Sequence, residues 1–397
     1  MRRSILCFLA GLLSVLLIGQ PMLLAQAIGD RPADVILPTP ERRGVWLTNI
    51  DSDVLFKPEK LKPAIDTLAK LNFNTLYPVA WNFGYTFYPS EVAKKVTGIV
   101  QAPGLKQDMM AELITQAHAK KMAVMPWFEF GFMAPETSEL ALAHPDWLTN
   151  KQNFDPVWIE GVEPRVWLNP FMPAVQKFIT DLVLETVDRY DIDGIQFDDH
   201  FGLPNDFGYD DYTIALYRQE HNGKAPPKNI EDAEWVKWRA DKITDYTARL
   251  VKAIKTQKPQ VQFSLSPNPY DFAYQHSLQD WKTWQERGLL DELIVQVYVT
   301  DLSRFKGHLQ RPEIQAAAKN IPVSIGVLSG LRNKKVPFQR IRDQVQAVRD
   351  ARLSGVSFFF YETLWNISHE PMQARQSNFQ RLFPAPADLP MPSRLGV

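Results

Sequence analysis

The sequence predicts one α/β domain, a single (β/α)8 TIM barrel with long strand-to-helix loops, and three observations carry that prediction. Between residues 41 and 383, eight short runs of strand character alternate with longer amphipathic stretches of helical period. The strand runs are continuously apolar, as in parallel strands covered by helices. Segments that follow strand ends are long (82–104, 131–169, 201–232), whereas returns from helix to strand, such as Leu71-Asn72 and Lys258-Pro259, are short. No Gly-x-Gly-x-x-Gly follows the first strand, where the dinucleotide site of an open doubly wound sheet would need it.

The predicted strands are 43–50, 73–81, 122–130, 191–200, 261–268, 293–300, 322–329 and 356–365. Helical patterns are predicted at 59–71, 106–121, 172–190, 234–258, 278–287, 312–319, 338–353 and 371–382. Ahead of the domain, residues 1–27 read as an export signal. Arg2 and Arg3 precede an apolar stretch from Ile5 to Ile18, and Ala25-Gln26-Ala27 is a small-x-small cleavage site. An uncleaved membrane anchor is the rival, although Gln20 and Pro21 interrupt the apolar run. Residues 28–40 are a Pro-rich linker, 41–383 the barrel, and 384–397 a Pro-rich tail expected to be extended or frayed. The protein is thus expected to be periplasmic or secreted.

A formal net charge of -1 and the lack of any long basic run exclude nucleic acid as the main partner, because phosphate binding needs a positive field. Cys7, the only cysteine, lies inside the export signal. The mature chain therefore has no disulfide, thiolate zinc site or cysteine nucleophile. Eleven tryptophans, many near strand ends, suit core packing and stacking on sugar rings alike.

The most informative stretch is Asp191-Ile-Asp-Gly-Ile-Gln-Phe-Asp-Asp-His200. It is a turn, a short strand, then two carboxylates and a histidine at the strand's exit. A buried carboxylate without a partner is costly, so Asp198 and Asp199 are solvated, paired or functional. Alternation turns Gln196 and Asp198 toward the barrel interior and Ile195 and Phe197 toward the helices. The other strand exits supply Trp46 and Asn49, Trp81 and Asn82, Trp127 and Glu129, Asn268, Gln296 and Tyr298, and Glu362 and Trp365. Acids, amides and rings together suit a polyhydroxylated ligand.

Carboxylates on different strands of one mouth suit glycoside hydrolysis. Asp198 is the nucleophile or stabiliser candidate; Glu129 and Glu362 are candidate acids, each in an aromatic setting that raises a carboxyl pKa, with Asp199 an alternative. Helix capping or salt bridges are the competing roles for these acids. For His200, a hydrogen bond to substrate or loop is favoured over metal ligation, since no second histidine or dense acidic run accompanies it. Neither metal nor cofactor is expected.

The run Arg42-Arg-Gly-Val-Trp-Leu47, then Asp193 to Asp199, then Ser264-Leu-Ser-Pro-Asn268, then Asp280-Trp281, Gly288 to Asp291 and Val295 to Tyr298, resembles the bacterial glycosyl-hydrolase-like family 10 proteins. The likeness covers roughly residues 41–383. It implies a (β/α)8 barrel, export from the cytoplasm and action on a glycan, peptidoglycan strands included, with the Asp198-Asp199 pair as the functional match. The chain departs from the family where an arginine is common on the second strand and Tyr77 to Asn82 stands instead. The alternatives are a carbohydrate-binding barrel without turnover and an envelope protein that uses the barrel as a scaffold.

Overall fold

The computed structural model describes residues 40–391. The export signal and nearly all of the linker lie outside the described residues. Eight parallel strands close into a barrel: β1 (Arg42–Leu47), β2 (Thr75–Asn82), β3, β4 (Gly194–Asp198), β5 (Gln262–Ser266), β6 (Glu292–Gln296), β7 (Val323–Leu328) and β8 (Gly355–Phe359). β3 is split into Ala123–Val124 and Trp127–Phe128 because Pro126 has no N–H to offer the ladder. Closure is made by β1, which pairs with β2 at Gly44↔Thr75 and with β8 at Arg42↔Gly355.

Helices on the outside cover the apolar face of each strand. The helices Pro58–Lys70, Met109–His118, Pro173–Arg189, Ala233–Gln257, Trp281–Glu286, Pro312–Ala317, Phe338–Asp350 and Met372–Leu382 answer to the eight predicted ones. Three open on proline in the first turn, where a missing N–H costs nothing. The long helix from Ala233 is capped by Asp232, whose carboxylate accepts from the backbone N–H groups of Glu234 and Trp235.

The barrel interior is polar at its base. Arg42 and Glu292 form a fully buried ion pair (2.5 Å); Thr75 accepts from Arg42, while Tyr77 and Ser264 donate to Glu292. Above them Gln196 accepts from the Trp46 indole (2.7 Å) and donates to Ser264 (3.0 Å). Both strand positions expected to face inward on β4, Gln196 and Asp198, do so. The described part of the C-terminal tail crosses the base of the barrel: Ala385 O accepts from Arg43, and Asp388 O from the Glu41 N–H.

One strand breaks its own alternation. Between Val79 and Trp81 the register of β2 against β3 shifts by a residue. Such a bulge swaps the faces beyond it. Trp81 consequently turns outward onto Phe178, its indole donating to Gly131 O, and Asn82 turns into the mouth.

Candidate active site

Where β3, β4, β5 and β6 end, their last residues meet in one hydrogen-bonded cluster. Asp198 is 3% exposed. Its Oδ2 accepts from the Trp127 indole (3.1 Å) and its Oδ1 from the His200 backbone N–H (2.9 Å). His200 Nδ1 lies 3.1 Å from the same Oδ1 and 3.0 Å from the Glu129 backbone carbonyl. Asp199, half-buried, accepts from the amides of Asn268 (2.9 Å) and Gln296 (3.1 Å). Glu129, 6% exposed, accepts from Asn82 (2.7 Å), which also donates to Asn49 (2.8 Å).

The floor is aromatic. Trp46 stacks on Tyr77 (5.3 Å) and sits edge-on to Trp127 and Phe359; Tyr298 lies 5.7 Å from Phe359. Such a setting is poorly solvated, and the acids respond to it. Burial, with the Asp198 carboxylate beside it, pushes Glu129 well above the ordinary range. Burial also raises Asp198, to about 6, although His200 pulls it back. His200 would be lowered by burial alone, but Asp198 and Asp199 hold it well above the usual imidazole value. Burial likewise pushes the Tyr298 hydroxyl well up, helped by Asp199, Asp198 and Glu129.

Two contributors were not foreseen. Glu160 comes from a hairpin in the long loop after β3, formed by Trp158–Glu160 and Glu163–Trp167. Its carboxylate lies 3.5 Å from His200 Nε2 and accepts from Arg165 (2.9 Å); burial opposes its charge, yet His200 and Arg165 hold its pKa at about 2. Gly161 at the turn between two short tryptophan-bearing runs was the available signal. The other, Phe359, is marked by the inward parity of β8, which places Gly355, Ser357 and Phe359 on one face.

Several expected residues lie elsewhere. Trp81 is packed among helices because of the bulge, and buried Trp365 packs on Tyr361 and Phe379. Glu362 accepts from Ser52 (3.0 Å) and Asn366 and lines a separate cavity of about 730 Å³ with Asp51 and Arg332. β8 ends at Phe359, so Glu362 sits in the helix Tyr361–Trp365 rather than on the strand, which is why its side chain leaves the central cluster.

Among the described residues, one grouping has ligand atoms close enough for a cation: Asp198, Asp199 and His200, within 4.8 Å. Each of its four carboxylate oxygens already accepts an N–H bond, and His200 Nδ1 is engaged by Asp198.

The profile of the family "Glycosyl hydrolase-like 10" matches residues 41–348. The chain belongs to this family. It is 27% identical over 285 residues to Glycosyl hydrolase DigH of Escherichia coli K12, covering 65% of this chain and 62% of that one. It is 25% identical over 325 residues to Glycosyl hydrolase YngK of Bacillus subtilis, covering 75% and 60%. The matched region thus spans about three-fifths of these relatives. Among solved structures, the PgaB (BpsB) glycoside hydrolase domain of Bordetella bronchiseptica superposes with a TM-score of 0.64 at 13% identity, covering 86% of this chain and 99% of that one. The catalytic domain of a β-amylase from Paenibacillus polymyxa gives 0.60 at 9% identity, covering 87% and 98%. At such identities the likeness is one of fold: both are glycosidases built, like this chain, on a barrel.

Proposed function

We propose that this protein is an exported glycoside hydrolase that cleaves O-glycosyl bonds in a glycan strand, with peptidoglycan strands as the first substrate to try. The observation that carries the reading is the pair of buried carboxyl groups at the exits of adjacent strands, Glu129 and Asp198, set apart in acidity by their surroundings. Glu129, whose carboxyl burial and the neighbouring Asp198 push well up, donates its proton to the glycosidic oxygen as the C–O bond breaks. Asp198, ionised above about pH 6 and steadied by His200 and Trp127, attacks or stabilises the anomeric carbon. Water supplies the hydroxyl that ends on that carbon, and its remaining proton restores the acid. Asp199, fixed by Asn268 and Gln296, is the alternative for the second carboxylate role and otherwise orients a sugar hydroxyl. The amino-terminal pattern of residues 2–27 supports export.

Purified protein incubated with peptide-free peptidoglycan strands, and with a panel of other glycans, is expected to generate new reducing ends. Saturable binding with no release from any of them would make the protein a carbohydrate-binding barrel instead.

A further inference from the structure

Two cavities flank the cluster. One of about 510 Å³ lies on the β4 and β5 side and includes Asp199, His200, Asn268, Trp158 and Phe272. The other, about 350 Å³, lies on the β1 and β2 side and includes Asn49, Phe56, Phe83, Tyr85 and Phe87. The first is lined by members of the cluster itself, and the second is linked to it by side-chain contacts. Asn49 is joined through Asn82 to Glu129, and the Phe83 ring lies 5.0 Å from Phe130, itself 5.9 Å from His200.

Phe83 is an unusual choice for its position. Asn82 pairs with Tyr85 across a tight hairpin, which leaves Phe83 and Gly84 as the two turn residues, at φ of 55° and 81°. Left-handed backbone at both positions favours Asn or Gly; a bulky ring there is disfavoured. The ring is nonetheless half-buried, with the Arg165 guanidinium 5.3 Å from its centre and equally far from Phe130. Strained positions of this kind gather at ligand-binding sites.

We propose that Phe83, with Tyr85, is a stacking platform for sugar units on one side of Glu129 and Asp198, while the cavity beside Asp199 and His200 holds units on the other, so that a glycan polymer lies across the centre and is cut internally. This rests on the hydrolase reading above. An aromatic face matches the apolar face of a pyranose ring and makes few demands on its hydroxyls, so it reads chain length more than sugar identity.

The test compares wild type with Phe83→Asn, a substitution that suits the left-handed turn and should melt at or above the wild-type temperature. The probes are long peptide-free glycan strands labelled at the reducing end and the shortest oligosaccharide the wild type cuts. From the first turnovers wild type should yield labelled fragments of many lengths. Phe83→Asn should raise KM for long strands about tenfold and raise that for the shortest oligosaccharide by clearly less. Stepwise shortening from one end, or an equal change on both probes, overturns the proposal. Should wild type cut none of the strands, the hydrolase reading itself fails. Binding of the same labelled strands then decides the platform: about tenfold weaker binding by Phe83→Asn upholds it, and equal binding overturns it.

Discussion

At the scale of single residues, His200 mediates between acids. Its imidazolium touches Asp198 and is backed by Glu160, so it lowers an Asp198 pKa that burial would otherwise drive further up. Activity should therefore rise with pH through about 6, where Asp198 ionises. His200→Gln removes the positive partner, leaves Asp198 harder to ionise, and should move that acidic limb to higher pH in a pH–rate profile; an unmoved limb would detach His200 from the chemistry. Asp198 itself was legible in the sequence, because two carboxylates at the end of an apolar strand have no packing purpose. Glu129 stood out as a lone carboxylate among Trp127, Phe128, Phe130 and Phe132 at a strand exit. Glu362 looked equivalent on paper, but the strand before it ends at Phe359 and a short helix carries the carboxylate into a neighbouring cavity.

At the scale of elements, apolar continuity and helical period located the eight barrel strands and eight of the helices, since those patterns follow directly from which faces are covered. What they could not supply was the bulge in β2. A one-residue register shift leaves no mark on hydrophobicity, yet it exchanges Trp81 and Asn82 between helix layer and mouth. Nor does strand patterning reveal that the loop after β3 folds into its own small antiparallel sheet and delivers Glu160. That loop is joined to the site at Gly131, whose φ is 49° and whose missing side chain makes room for the His200 carbonyl: an added Cβ would lie 2.6 Å from that oxygen. Gly131→Ala should cost about 1–3 kcal/mol from backbone conformation alone and displace Glu129 and His200 together. A fall in both melting temperature and activity is expected; wild-type activity in this variant would separate the loop from the site.

At the scale of the whole molecule, the barrel is held shut around charge as well as hydrocarbon. Arg42 from β1 and Glu292 from β6 meet at the base of the interior, with polar partners from β2 and β5. Removing one member strands the other without solvent, a loss of about 3–5 kcal/mol in comparable buried pairs. Glu292→Ala should shift the urea midpoint down accordingly, and a midpoint within error of wild type would show that the pair contributes little to closure. The same architecture brings strand exits 71 residues apart in sequence, Trp127 and Asp198, into a hydrogen bond, which is how distant acids become one site.

Glu129 and Asp198 are proposed to act as a catalytic pair. The most direct test is the release of reducing ends from peptide-free glycan strands by wild type, Glu129→Gln and Asp198→Asn side by side, with melting temperatures recorded for all three. Wild type should release reducing ends, and each variant should lose about 10²-fold or more of that activity with its fold intact. Release at the wild-type rate by either folded variant would contradict that pairing.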